Sequence, residues 1–204
     1  LELIERPIEP LQKVTQAFER IPYEEAVQII RGERLVNGQS ALDVLRDDLA
    51  QVRRSSEEIR AEISDREAKL AQPGLKKGEI GHHQAQLQAA RQRLDQAEEQ
   101  ERNLPQWIES AANFEAGNDF GGSDETVLTR LFETPIMVYN WPHEIKAFYM
   151  KRDENDPRWA KGVDVLAPEG YGEIVGGGER ETNLEWLVDK IQEHQLPMEA
   201  FEWY

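Results

Sequence analysis

From Leu42 onward, apolar residues return at intervals of three and four: Leu42, Leu45, Leu49, Val52, Ile59, Ile63 and Leu70, with Ser56 and Arg66 as the two polar interruptions. That alternation is a heptad seam and predicts a long helix. Gln72-Pro73-Gly74-Leu75-Lys76-Lys77-Gly78 then breaks it, since Pro and Gly cannot continue a helix cheaply. A second seam follows through Ile80, His83, Leu87, Ala90, Leu94, Ala97, Glu101 and Leu104. Its smaller residues suit close packing against the first. Two such helices predict an antiparallel coiled-coil hairpin over residues 41–104, with arms of roughly 28 residues reaching about 40 Å.

The pattern differs on either side of the hairpin, giving three zones: 1–40, 41–104 and 105–204. In the first, Tyr23-Glu24-Glu25-Ala26-Val27-Gln28-Ile29-Ile30 places its apolar residues on one helical face, with Pro22 at its start. In the third, aromatic residues and Gly rise and short β patterns enter. Ile136-Met137-Val138-Tyr139 and Ala147-Phe148-Tyr149-Met150 read as strands. Val163-Asp164-Val165-Leu166 and Glu173-Ile174-Val175 flank a turn at residues 167–172. Thr182-Asn183-Leu184-Glu185 resembles a capping box opening a helix to about His194. Neighbouring strands with helices packed on them predict an α+β domain built on an antiparallel sheet.

Composition narrows the partners. With 39% hydrophobic and 31% charged residues, and no apolar run near the 18 or so that span a bilayer, a soluble protein with much exposed helix is expected. The start, Leu1-Glu2-Leu3-Ile4-Glu5-Arg6, has neither an initiator Met nor the basic-then-apolar order of a signal peptide, so the chain is expected to be cut from a longer one. There is no Cys, which excludes disulfides and thiolate zinc sites and fits a cytoplasmic protein. A net charge of −16 argues against a broadly basic nucleic-acid surface, and DNA is not an expected partner. A local basic patch remains open to RNA. The hairpin reads either as a solvated spacer or as an arm touching RNA or a partner through Lys76, Lys77, His82 and His83 near its tip. Adjacent helical residues point in different directions, which speaks against a metal site at His82-His83.

The densest candidate chemistry is Asp164 followed by Glu173-Ile174-Val175-Gly176-Gly177-Gly178-Glu179-Arg180-Glu181. If the turn forms, Asp164 and Glu173 lie on neighbouring strands, and two such carboxylates repel unless a cation neutralises them. Mg²⁺ bound through one or two carboxylates and substrate phosphates suits that arrangement. Gly176, Gly177 and Gly178 let a ligand approach the backbone closely. Arg180 offers a planar fork of donors for a carboxylate or phosphate. The same residues also read as an ordinary hairpin with a glycine bulge and surface charges.

Longer stretches carry a resemblance. Asp164-Val165-Leu166-Ala167-Pro168-Glu169-Gly170-Tyr171-Gly172-Glu173-Ile174-Val175-Gly176-Gly177 resembles the stretch before the third class II motif of bacterial asparaginyl-tRNA synthetases. Asn140-Trp141-Pro142-His143-Glu144-Ile145-Lys146-Ala147-Phe148-Tyr149-Met150 is similar to a second stretch, where that family has a Tyr-Pro pair and then Ile-Lys-Ala-Phe-Tyr-Met. Arg20-Ile21-Pro22-Tyr23-Glu24-Glu25-Ala26 also resembles it, and Gly117-Asn118-Asp119-Phe120-Gly121 with Asp124-Glu125 does so more loosely. Glu199-Ala200-Phe201-Glu202-Trp203-Tyr204 resembles the helix leading into the third motif. The likeness covers roughly residues 10–32 and 115–204.

The resemblance implies an ATP-dependent enzyme that activates asparagine and transfers it to tRNA-Asn, homodimeric in its full form. The zones at 1–40 and 105–204 are then parts of the class II catalytic domain, interrupted by the hairpin. Asp164 and Glu173 become the Mg²⁺–ATP ligands, Arg180 the arginine that holds the amino-acid side chain, and Lys146 and Tyr149 pocket residues. No general acid or base is implied. The arginine-bearing second and third motifs fall outside residues 1–204, so this stretch by itself is not expected to activate asparagine. The family usually reads Gly-Gly-Ser-Gln-Arg-Glu where this chain has Gly176-Gly177-Gly178-Glu179-Arg180-Glu181. Gly178 thus replaces a hydroxyl that helps ligate the metal, and Glu179 is expected to bring an extra negative charge near the pocket. Aspartyl-tRNA synthetase, a degenerate synthetase-like paralogue and a non-catalytic module built around the arm remain as alternatives.

Overall fold

Four strands stand in chain order in one sheet: β1 (Glu19–Pro22), β2 (Ile136–Pro142), β3 (Trp159–Ala167) and β4 (Gly172–Gly178). β2, β3 and β4 are antiparallel, as expected, while β1 joins the edge parallel to β2, so the sheet is mixed. A parallel neighbour needs a long crossover, and more than a hundred residues separate β1 from β2 here. The structure is a computed structural model and describes residues 13–201. It divides into two units, one combining the residues up to Ala41 with those from Asn113 onward, the other Leu42–Ala112.

In the sheet unit, β3 buries every second residue: Ala160, Gly162, Asp164 and Leu166. β2 starts in step, burying Ile136 and Val138. Asn140 then takes the left-handed region at φ 55° and the register slips between Tyr139 and Trp141. β2 advances two residues there against three on β3, which reverses its alternation, so Trp141 returns to the buried face. Around it stack the buried rings of Tyr23 and Phe120, with centroids 4.7–5.3 Å apart. Helix α1 (Tyr23–Ile30) supplies Tyr23, Ala26, Val27, Ile29 and Ile30 to this core, with Pro22 as its N-cap residue.

Helices α2 (Ala41–Leu70) and α3 (Lys77–Ala112) form the other unit. With 30 and 36 residues they extend about 45 and 54 Å. Every seam position from Leu42 to Leu70 and from Ile80 to Leu104 is buried or half-buried. Ion pairs cross between them, from Arg53 to Glu101 (3.4 Å), Arg60 to Glu98 (3.0 Å) and Glu62 to Arg93 (2.7 Å). The partner number falls as the first rises, which fixes the helices as antiparallel. α3 does not stop at Leu104 but continues through Pro105 to Ala112. Pro105 removes one backbone donor, but Leu104, Trp107, Ile108 and Ala111 keep the apolar spacing on the shielded face and carry the helix past it.

Two local expectations change. Residues 147–149 form a turn, not a strand, with Met150 making a single bridge to Arg180. The Phe148 and Tyr149 rings touch each other at 5.3 Å, which neighbours on a strand cannot do because they point to opposite faces. Helix α5 (Leu184–Glu193) is capped by Asn183, whose side chain accepts the Trp186 N–H, rather than by Thr182. Of the final stretch, Met198–Phe201 is a single 3₁₀ turn, and residues 202–204 lie outside the described residues.

Ser56 is fully buried in the hairpin seam, and its hydroxyl has no hydrogen-bond partner among the described residues. An orphaned buried hydroxyl costs about 1–3 kcal/mol. Ser56→Ala is therefore expected to raise the urea midpoint of unfolding; a lower midpoint would show that the hydroxyl is satisfied after all.

Candidate functional site

The site begins with what Trp141 holds. Its indole N–H donates to Val138 O (3.2 Å), fixing the ring, and the Lys146 ammonium lies 3.8 Å from the ring centroid. A short turn at His143–Ile145 brings Lys146 back over the sheet. Its Nζ donates to Asp164 Oδ2 at 2.9 Å and approaches Asp119 Oδ1 at 3.4 Å. The Lys146 and Asp164 side chains are only 15% and 13% exposed. Asp119 is placed from behind by Tyr23, whose hydroxyl donates to Asn118 O (2.7 Å) and accepts the Gly117 N–H (2.8 Å). Burial pushes the Tyr23 hydroxyl above its ordinary pKa, so it remains a donor at neutral pH.

Glu173 reaches the same place from β4. In register Asp164 faces Gly176, while Glu173 pairs with Leu166 across an irregularity. A Cβ built on Gly176 would lie 2.5 Å from Glu173 Oε1 and 3.4 Å from Asp164 Oδ1. The two carboxylates therefore converge over the space that Gly176 leaves free. Helix α4 (Gly122–Thr129) pins the turn that makes this possible. Its Thr129 O accepts the Glu169 N–H (3.1 Å), its Thr126 hydroxyl donates to Gly170 O (3.1 Å), and its Glu125 Oε2 accepts the Glu173 N–H (2.9 Å). Gly172 must be glycine for two reasons: its φ is 78°, and a Cβ would stand 2.6 Å from Glu125 Oε2.

The local charge is unbalanced. Asp164, Glu173, Glu125 and Asp119 surround one ammonium, Lys146. The Glu173 carboxyl is pushed above its usual range, first by desolvation and then by the Asp164 and Glu125 carboxylates, with Lys146 opposing. A hard cation fits such a site. Among the described residues no three acidic or His side chains are close enough to chelate one, so those residues offer at most two carboxylates here. That donor set fits Mg²⁺, which takes one or two carboxylates and fills its remaining positions with phosphate oxygens and water.

The predicted residues thus fall into two groups. Lys146, Asp164 and Glu173 form one. Arg180 and Tyr149 form the other, with the guanidinium carbon 5.0 Å from the Tyr149 ring centroid and Nη1 against the Met150 thioether. The glycines differ in what they allow. Gly177 faces open space, but a Cβ on Gly178 would stand 2.7 Å from Lys161 O and 3.0 Å from Gly162 Cα. A serine therefore does not fit at 178 in this geometry. Glu179 is a correction: it does not add charge to the pocket. It pairs with Lys151 (2.7 Å) and Lys161 (3.3 Å), and Lys161 belongs to the β3 positions facing away from Asp164. Asp119, Glu125, Tyr23 and Trp141 were not foreseen as site residues. The Asp119 and Glu125 segment was noted only as a loose likeness, and the aromatic pair carries no polar signature.

The comparisons with known proteins show the family. Residues 2–204 match the family described as tRNA synthetases class II (D, K and N), and the chain belongs to that family. Its relatives include the asparagine–tRNA ligase of Sorangium cellulosum (strain So ce56), 55% identical over 92 residues, which is 45% of this chain and 21% of the relative. That of Pyrococcus abyssi (strain GE5 / Orsay) is 53% identical over 90 residues, 44% of this chain and 21% of the relative. Among solved structures, the asparaginyl-tRNA synthetase from Pyrococcus horikoshii aligns with a TM-score of 0.56 at 27% identity, covering 100% of this chain and 30% of that one. The chain spans about a fifth of the length of the curated relatives it matches.

Two outcomes test the site. Glu173→Gln removes a carboxylate held above its usual pKa of 4.5, so it is expected to raise the melting temperature at pH 7. The wild-type carboxyl is neutral in both folded and unfolded states below that value, so the gap should close as pH falls through it. A melting temperature that drops at pH 7 would show that the ionised group stabilises the fold. Gly178→Ser is expected to cost about 1–3 kcal/mol in urea unfolding, through contact with the β3 backbone.

Proposed function

We propose that the full-length protein is an asparagine–tRNA ligase. The observation that carries the reading is the convergence of Asp164 and Glu173 over Gly176, next to the Lys146 ammonium, in a chain whose named relatives are asparagine–tRNA ligases. ATP and asparagine are the first substrates: the amino-acid carboxylate attacks the α-phosphorus and pyrophosphate leaves, then a terminal ribose hydroxyl of tRNA-Asn attacks the carbonyl of the asparaginyl-adenylate and AMP leaves. Asp164 and Glu173 would hold Mg²⁺ with the nucleotide, and the ion would supply neutralisation of the phosphate charge when bound. Lys146 orients Asp164 through their ion pair, and with Tyr149 lines the amino-acid pocket. Arg180 donates its planar fork to the amino-acid side chain. The contribution is positioning and electrostatic stabilisation rather than proton transfer.

A homodimer and a cytoplasmic location follow from the same reading. No described helix is long and apolar enough to cross a membrane. The hairpin is proposed as a coiled-coil spacer. Seven of its basic side chains (Arg46, Arg53, Arg60, Arg66, Lys69, Arg91 and Arg93) pair with acids inside the hairpin, which leaves less free positive charge for RNA.

Pyrophosphate exchange by the full-length protein separates the readings. Exchange dependent on asparagine is expected, with little from aspartate. The reverse preference would make the protein an aspartyl enzyme, and no exchange with either, in folded protein, a degenerate paralogue. Asp164→Asn is expected to lower the exchange rate by about a hundredfold or more.

A further inference from the structure

Three backbone hydrogen bonds close a ring where β3, the exit of β4 and the segment after Met150 meet. Lys161 N–H donates to Lys151 O (2.8 Å), Lys151 N–H to Glu179 O (2.9 Å), and Glu179 N–H to Lys161 O (3.0 Å). The side chains of the same three residues, together with Glu154, repeat the closure in charge. Lys151 Nζ lies 2.7 Å from Glu179 and 3.2 Å from Glu154. Lys161 Nζ lies 2.5 Å from Glu154 and 3.3 Å from Glu179. Each lysine thus meets both acids, and no like charges are adjacent in the ring. The network holds Glu154 down to about 2 and pushes both lysines above their ordinary values.

An isolated surface pair contributes little, but a closed four-charge network restrains geometry more than its pairs do separately. What this one restrains is the segment carrying Tyr149 and Met150 against Arg180. Met150 bridges Arg180, Glu181 N–H donates to Tyr149 O (2.9 Å), and the Arg180 guanidinium rests on the Tyr149 ring. The residues flanking Arg180 and those flanking Tyr149 are therefore tied together by Glu179 and Lys151 on the far face of the sheet. Arg180 itself is exposed and needs an external restraint to keep a single orientation.

We propose that Glu179, acting through this ring, is a positioning residue that fixes Arg180 and Tyr149 for the side chain of the amino-acid substrate. This rests on the role given to Arg180 above. It assigns to an acidic residue a task carried out from the side of the sheet opposite the carboxylates.

The test is steady-state pyrophosphate exchange by the full-length protein with asparagine and ATP varied separately. Glu179→Gln and Lys161→Met are each expected to raise KM for asparagine about three- to tenfold, leaving kcat and KM for ATP within about twofold. The double variant should be no worse than the poorer single one, because the two act as one unit. Glu179→Asp should recover most of the loss, and added salt should move the wild-type KM for asparagine toward that of Glu179→Gln. An unchanged KM for asparagine in Glu179→Gln overturns the proposal, as does equal damage to the ATP and asparagine constants. If Glu179→Gln does not fold, the salt titration of the wild type decides, a flat response overturning it. Arg180→Lys separates this from the underlying reading. If that variant loses asparagine binding while Glu179→Gln does not change it, only the ring's role fails. If Arg180→Lys leaves asparagine binding intact, the reading of Arg180 fails and the ring's role with it.

Discussion

Lys146 and Asp164 form an ion pair that is nearly buried, and the site is arranged around it. Removing either partner would leave a charge in a poorly solvated place, at a cost of about 3–5 kcal/mol. The pair persists because it is held on three sides. The Trp141 ring lies under the ammonium, Asp119 approaches from the loop that Tyr23 fixes, and β3 carries Asp164 on its covered face opposite Val138. The register shift at Asn140 is the precondition. Without it the alternation of β2 would turn Trp141 away from the core and remove the surface on which Lys146 lies.

The pair leaves Glu173 unmatched. α4 binds the β3–β4 turn through three hydrogen bonds and so forces the Glu173 carboxylate toward Asp164, where ionisation is disfavoured. A fold that gathers more carboxylates than its one ammonium offsets gives up stability there. Gly172 and Gly176 are the local cost of that approach, one by its positive φ and contact with Glu125, the other by leaving room for two carboxylates. On the opposite face the charges are fully matched, in the ring of Lys151, Glu154, Lys161 and Glu179. The same hairpin therefore presents an unsatisfied acidic face on one side and a satisfied one behind it.

Much of this was legible in the sequence because it depends on local periodicity or on long motifs. The heptad spacing located both hairpin helices, and the alternation around Asp164 located β3. The motif stretches pointed to Asp164, Glu173, Lys146, Tyr149 and Arg180. Three misreadings share a cause. Phe148 and Tyr149 have strand-like composition but are turned against each other. The hairpin expected to end at Leu104 runs on, because the burial pattern on either side of Pro105 carries α3 to Ala112. Glu179 was placed by its nearness in sequence to the pocket residues, although one step along extended backbone moves a side chain to the other face.

The sequence by itself determined the family, the α+β class, the helical insertion and the identity of the charged residues, since each is set by residue type and spacing along the chain. The tertiary structure decided which charges meet. Lys146 could have been a solvated surface charge and Glu179 an intruder in the pocket. Pairing with Asp164 and a ring on the far face exclude those alternatives, because each is fixed by register and by contacts between residues distant in sequence, which no local pattern encodes.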